Sequence, residues 1–349
     1  MSTLRVGIVG ASGYSGAVAA RLVASHPSLS LAFVTSDKLA GTPARKHLGA
    51  RAPEGLAFAR NEEAVALASS CDVALLATPA EVAADLSPKL LAASDRLRVV
   101  DLSGAFRLGD AAAYPKHYNF THPSAELLAS AWYGLPELFG APPPETRLVS
   151  NPGCYPTATL LAIAPLVRAG LVASDGIIVD AKSGVSGAGV QAKQEYSFVE
   201  IDEDLRAYKI LSHQHTPEIA RHLGRAANIA TPRLTFTPHL VPLRRGLLAT
   251  CYARPTSGTK ASHVQQCLAD TYGSSAFVDA VAPGEVTMKS VAGTNRARVG
   301  ATADEDVVVA IGAIDNLLKG AAGQALQNVN LLFGLGEATG LDQLQPFSP

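Results

Sequence analysis

Chemistry on this chain starts with a thiol. In Ser150-Asn151-Pro152-Gly153-Cys154-Tyr155-Pro156-Thr157 the cysteine stands just ahead of a proline suited to the first turn of a helix. A cysteine at a helix N-terminus gains from the dipole and the free main-chain amides, which stabilise a thiolate. The same amides can hold an oxyanion on a carbonyl that the sulfur attacks. The plain alternative is a buried cysteine in a capping turn. Cys71, Cys251 and Cys267 lie in strand or helix patterns and read as small apolar fillers. With no Cys-x-x-Cys pair and no His at ligand spacing, neither a metal nor a disulfide framework is expected.

A second segment, His213-Gln214-His215-Thr216-Pro217-Glu218-Ile219, offers acid/base chemistry. Thr216 can cap a helix begun by Pro217, so His215 precedes the helix and His213 shares its face if the segment is extended. Surface or structural histidines are the competing reading. Two further elements suit an anionic substrate. Arg107, in Asp101-Leu102-Ser103-Gly104-Ala105-Phe106-Arg107, stands just beyond a strand, at the edge where open α/β sheets bind ligands. The run Ser183-Gly184-Val185-Ser186-Gly187-Ala188-Gly189 can form an anion-binding nest or leave room beside a nicotinamide. Each also reads as ordinary loop chemistry.

These groups need a scaffold, and the N-terminus describes one. Leu4 to Val9 is a buried strand and Tyr14 to Ser25 an amphipathic helix; between them lies Gly10-Ala11-Ser12-Gly13-Tyr14-Ser15-Gly16. Glycines there let the backbone pass close to a pyrophosphate at the helix N-terminus. The next strand ends at Thr35-Ser36-Asp37-Lys38; Ser36 at its tip and Lys38 beyond suit a 2′-phosphate, hence NADP(H), with Asp37 arguing the other way. Strands at 31–35, 73–77 and 97–102 alternate with helical stretches at 61–69 and 80–93, which implies a parallel sheet covered on both faces. After an irregular segment at 103–147 come a helix at 156–169 and strands at 176–181, 233–241, 246–253, 297–302 and 306–313. A helix over 316–333 closes the chain.

The expected fold class is therefore α/β, a Rossmann-type dinucleotide-binding domain with a second α+β substrate and oligomerisation domain. Its boundaries are 1–150 plus 315–349 for the first and 151–314 for the second. Apolar residues are 48% and charged residues 17% of the 349, so the chain can build large cores and has no disorder signature. Lys plus Arg number 29 against 30 for Asp plus Glu, which speaks against nucleic-acid or anionic-membrane partners. No apolar run approaches a membrane span and the start lacks a secretory pattern, so the expected location is cytoplasmic.

Taken together these segments resemble the N-acetyl-γ-glutamyl-phosphate reductase family of arginine biosynthesis, within the semialdehyde dehydrogenases. The landmarks are GASGYSG at 10–16, DLSGAFRL at 101–108, YGLPEL at 133–138, SNPGCYPT at 150–157 and KSGVSGAG at 182–189. They continue with HQHTPEI at 213–219, FTPHLVPLRRG at 236–246, GTN at 293–295 and DNLLKGAAGQALQN at 315–328. The resemblance implies Cys154 as nucleophile, His215 with His213 as acid/base pair, and Glu218 as orienter. It also implies Arg107 and Asn151, with Ser186 and Gly187, on the substrate, and Ser183, Gly184 and Asn316 near NADP(H). A homo-oligomer, dimer or tetramer, follows from the same resemblance. Ala105 stands where the family usually has an acidic residue, and Gln214 where it usually has Arg. Related acyl-phosphate reductases of lysine or aspartate-family biosynthesis are the nearest alternative; a non-enzymatic NADP sensor is the remote one.

Overall fold

The computed structural model describes residues 3–345. They divide into two compact units, one formed by the chain up to Pro136 with Gly140–Gly153 and Ala321–Gln343, the other by Glu137–Phe139 and Cys154–Gly320.

The first unit is a parallel sheet. Its strands are β1 (Leu4–Val9), β2 (Leu29–Thr35), β3 (Phe58–Ala59), β4 (Val73–Leu76), β5 (Arg98–Asp101), β6 (Trp132–Tyr133) and β7 (Leu148–Ser150), in the order β3-β2-β1-β4-β5-β7-β6. Every pairing is parallel. Such a sheet needs strands apolar on both faces, and β4 (Val73-Ala74-Leu75-Leu76) is fully buried. Gly7 interrupts β1 because the Phe33 ring occupies the space: a Cβ there would lie 1.9 Å from a ring carbon. The order turns around at β1, whose neighbours β2 and β4 lie on opposite sides, and ligands of open α/β sheets bind at such a switch point.

The helix Tyr14–Ser25 runs as expected. The closing helix, Gly323–Leu332, belongs to this unit although almost every residue of it, including Gln324, Gln327, Asn328 and Asn330, is buried. Gln327, Asn328 and Asn330 are bonded within the protein instead of solvated, while Gln324 is buried with no partner among the described residues at either polar side-chain atom. Asn330 Oδ1 and Thr339 O both accept from His26 Nε2, at 3.1 and 2.9 Å, while His26 Nδ1 accepts from Ser28 N–H. Those partners fix the neutral tautomer.

The second unit is a mixed sheet of β8 (Ile177–Gly184), β9 (Arg206–Ala207), β10 (Leu234–Val241), β11 (Leu247–Ala253), β12 (Val278–Ala280), β13 (Ala297–Ala303) and β14 (Val308–Ile314). The order is β12-β13-β14-β11-β8-β10-β9. The helix Cys154–Arg168 lies on it so closely that a Cβ on Gly312 would meet Ala158 O at 2.3 Å. A helix Ala261–Tyr272 packs beside it, Tyr272 donating its hydroxyl to Leu161 O at 2.7 Å.

The long strands and the helices at 14–25 and 80–93 fall where the sequence places them. The short strands β3, β6, β7, β9 and β12, each of two or three residues, and the helix Ala261–Tyr272 do not announce themselves. Cys71 lies in the turn before β4, outside any strand or helix. The chain passes back into the first unit at Gly320/Ala321, so Asp315 and Asn316 belong to the second.

Burial holds the His26 pKa below its ordinary 6.5. The unfolded chain therefore takes up the proton first, and the stability due to neutral His26 is full above pH 6.5 and lost as pH falls through the folded-state value. His26→Ala should cost about 1–3 kcal/mol at pH 7.5 by stranding its partners, and should flatten the decline towards pH 5 in urea titrations. An unchanged pH slope would contradict this.

Candidate active site

In the first unit the glycine turn is a cradle shaped by close approaches. Gly10 has φ +84°, and a Cβ on it would sit 2.7 Å from Ala77 O. Gly16 has ordinary backbone angles, yet a Cβ would strike Gly10 O at 2.4 Å, so the helix can only enter this near the turn without one. Gly13 is different: nothing but Gly10 O, at 3.8 Å, stands near its missing Cβ, which leaves open space at the helix start. The amides of Tyr14, Ser15 and Gly16 occupy the first helical positions, where N–H groups lack helical acceptors. Ala11 is buried and spends its N–H on Thr35 O at 2.9 Å. Ser12 accepts from the buried Ser36 hydroxyl at 2.8 Å, which ties the turn to the tip of β2. Asp37 is occupied by Asn61, accepting from its N–H at 2.9 Å and its Nδ2 at 2.8 Å. Lys38 beside it is exposed. This cradle fits a dinucleotide phosphate, with Lys38 as the cation at the strand tip.

The turn leading to the cysteine is fixed within the same unit. Arg107, 6% exposed, gives Nε to Asn151 O at 2.8 Å and Nη2 to Leu102 O at 2.7 Å. Asn151 donates its N–H to Asp101 O and its Nδ2 to Ala321 O, and accepts from Asn328 Nδ2 at 3.1 Å. The side chain of Asn151, expected on the substrate, thus has a partner inside the protein at both its nitrogen and its oxygen. The described bonds of Arg107 likewise hold this turn.

Rings of the second unit gather around Tyr155, the residue after Cys154. Cys154 is the first residue of a helix whose next thirteen residues, Tyr155 to Val167, are all buried. Tyr155 gives its hydroxyl to His239 O and receives that of Tyr208, both at 3.2 Å. Burial and the neighbouring Tyr208 push the Tyr155 phenol well up, so it stays protonated. The His213 ring packs edge-on against Tyr155, Tyr208 and Phe236, and lies 4.7 Å from that of His215.

The histidine segment differs from the expectation. The helix runs His215–Ala227, so His215 is its first residue and Thr216 is not its cap. Gln214 holds the cap position, and the first amide of the helix is taken by His213, whose Nδ1 accepts the His215 N–H at 3.1 Å. Burial, aided by Lys209, pushes its pKa down to about 3. His213 is thus a neutral acceptor at the helix start. Glu218, one helical turn beyond His215 and fully buried, shares its face.

The Gly/Ser turn closes on Asn316. Ser183 and Gly184 are the end of β8, and a Cβ on Gly184 would meet Leu243 O at 2.7 Å. Asn316 accepts from Gly246 N–H at 2.8 Å and donates to Ser186 Oγ at 2.9 Å. Gly187 faces Ser183 Oγ, which a Cβ would approach to 2.8 Å. Asn316 therefore shapes this turn from within the second unit. Tyr208 and Gly320 also reach the Cys154 neighbourhood; Tyr208 carries no motif, and Gly320 lies in a motif without an evident role.

Residues 5–142 match the family description "Semialdehyde dehydrogenase, NAD binding domain" and residues 154–316 match "Semialdehyde dehydrogenase, dimerisation domain". N-acetyl-gamma-glutamyl-phosphate reductase of Desulforapulum autotrophicum is 42% identical over 342 residues, 97% of this chain and 98% of the relative. That of Symbiobacterium thermophilum is also 42% identical, over 99% of this chain and 100% of the relative. The chain belongs to the N-acetyl-γ-glutamyl-phosphate reductase family. The fold agrees with aspartate semialdehyde dehydrogenase II of Vibrio cholerae, solved with ASA, at TM-score 0.72 and 17% identity over 96% of this chain and 99% of that one. The NADP-bound aspartate semialdehyde dehydrogenase of Candida albicans superposes at TM-score 0.64 and 17% identity, over 95% and 99% of the two chains. At these identities the likeness is one of fold. The first unit is accordingly a nicotinamide-dinucleotide domain. Among the described residues no cluster of three or more His, Cys, Asp or Glu forms a metal site, and no helix is long and apolar enough to cross a membrane.

His213→Gln keeps an acceptor for the His215 N–H. It should leave the acid limb of the pH–rate profile in place and cost at most about 2 kcal/mol of stability. His215→Gln should remove that limb. A limb that moves with position 213 would contradict the neutral-acceptor assignment.

Proposed function

We propose that this chain reduces N-acetyl-γ-glutamyl phosphate to N-acetyl-glutamate 5-semialdehyde with NADPH, a step of arginine biosynthesis, through a thioester on Cys154. The observation that carries the reading is the placement of Cys154. Burial pushes the thiols of Cys71 and Cys267 up and that of Cys251 to about 12. Cys154 alone of the cysteines starts a helix, partly exposed, where dipole and amides favour the thiolate.

The thiolate attacks the acyl-phosphate carbonyl carbon. Helix-start amides stabilise the resulting oxyanion, and its collapse breaks the bond to the phosphate oxygen, so phosphate leaves with the electron pair and a thioester remains. The bound dinucleotide supplies the hydride that reduces that thioester. His215 manages the proton at the former carbonyl oxygen, giving it as charge develops and taking it back as the C–S bond breaks to release aldehyde and thiolate. Glu218 orients His215. Ser186, whose oxygen already accepts from Asn316, has its hydroxyl hydrogen for a substrate oxygen, and Gly187 beside it lets the turn pass close to Ser183 Oγ. Arg107 and Asn151 act as positioning residues on the turn before Cys154. Lys38 and Ser36 favour NADP(H) over NAD(H), with Asp37 withdrawn onto Asn61. The match of the second unit to a dimerisation domain supports a homo-oligomer.

The reverse reaction tests this directly. NADP should be reduced in the presence of N-acetyl-glutamate semialdehyde and phosphate, and Cys154→Ala should abolish turnover while retaining NADP binding. Activity only with an aspartate or aminoadipate semialdehyde would keep the mechanism and overturn the substrate. Lys38→Ala should weaken NADP binding at least about tenfold, the worth of one charge-assisted hydrogen bond, and leave NAD binding unchanged.

A further inference from the structure

Between Asn316 and the closing helix the chain makes a wide turn of π type, Leu318–Ala322, in which Gly320 N–H reaches back to Asp315 O at 2.9 Å. Such wide turns recur at functional sites in helical segments. This one is held by two buried charged residues at its N-terminal side. The buried Asp315 carboxylate accepts the N–H groups of Leu317 and Leu318 through one oxygen, at 2.8 and 2.9 Å. Its other oxygen accepts Gly293 N–H at 2.8 Å and faces Arg245. Lys319, with no exposure at all, pairs with Glu137 and lies over the Phe277 ring.

The turn so anchored carries Gly320 against the nucleophile. A Cβ on Gly320 would stand 2.8 Å from the Cβ of Cys154, and 3.2 Å from both Asp315 O and a methyl carbon of Ile314. Gly320 is not among the residues of positive φ, so its backbone conformation is open to any L-residue. Glycine is therefore required here for space, and the space is that of the cysteine. A Cβ is the stiffest part of a side chain, so the contact cannot be relieved by rotating a χ angle; either the helix start or the wide turn must move.

We propose that the Leu318–Ala322 turn is a positioning device for Cys154, with Gly320 as the residue that sets where the thiol-bearing carbon lies. Asp315 and the Lys319–Glu137 pair fix the turn, and Gly320 transmits that fixed position to the first residue of the Cys154 helix. The thiol inference rests on the reading of Cys154 as nucleophile; the contact itself does not.

The test is Gly320→Ala in the full-length protein. It should lower kcat by at least about tenfold, as a displaced nucleophile does, with KM for NADP unchanged. It should also shift the pH dependence of Cys154 alkylation by iodoacetamide, a readout that loss of stability alone would not move. A second measurement tests the contact: the Tm loss caused by Gly320→Ala should shrink in a Cys154→Gly background, where the opposing Cβ is gone. Equal Tm losses in both backgrounds, or wild-type turnover and alkylation in Gly320→Ala, would overturn the proposal. Full activity in Cys154→Ala would overturn the nucleophile reading instead, and would leave the Tm coupling as it is.

Discussion

Asn151 is held at every hydrogen-bonding group it has: N–H to Asp101 O, carbonyl from Arg107, side-chain amide to Ala321 O and side-chain oxygen from Asn328. Asn328 in turn is placed by Gly134, which a Cβ would drive into its amide, and whose carbonyl takes a 2.9 Å bond from it. A residue tied from four sides has no freedom to lose, and Cys154 follows it by three positions. Segments distant in sequence, around 101–107, 134 and 321–328, therefore converge on the approach to one thiol. This explains why a polar residue of the closing helix is buried in the first unit: the Asn328 amide is a partner that the turn requires.

Burial sorts the titratable groups into roles. It drives the other cysteine thiols up, keeps the Tyr155 and Tyr208 phenols protonated, and takes His213 down to about 3. The consequence is an aromatic wall that is electrically silent across physiological pH, against which His215 stands at a helix start. A neutral His213 costs nothing in self-repulsion with His215 and supplies the acceptor that the first amide of the helix needs. Glycines perform the matching steric work, Gly10 and Gly16 at the dinucleotide cradle and Gly320 at the cysteine, each where a Cβ would collide with a fixed group.

Much of this was legible in the sequence because it is local. The run from Gly10 to Gly16 lies between a strand and a helix that its own periodicity reveals, and Pro156 after Cys154 marks a helix start. The histidine segment was visible too, but its roles were not. That His213 takes the first amide of the helix depends on how deeply the ring is packed among Tyr155, Tyr208 and Phe236, which lie far apart along the chain. Strands such as Phe58–Ala59 and Trp132–Tyr133 are too short to show alternation and exist because a neighbour supplies their hydrogen bonds. The commitment of Asn151 to Asn328 joins positions 177 apart, which no spacing rule reaches. The wide turn at Leu318–Ala322 reads as uninterrupted helix, since its small and apolar residues suit either geometry.

The central claim is a covalent one, that acyl transfer to Cys154 precedes reduction. Mass spectrometry of the protein mixed with N-acetyl-γ-glutamyl phosphate in the absence of NADPH addresses it without relying on turnover. The account predicts one acyl adduct, found on the peptide bearing Cys154, released by hydroxylamine and absent from Cys154→Ala. An adduct on another residue, or unmodified Cys154 in protein that turns over once NADPH is added, would contradict it.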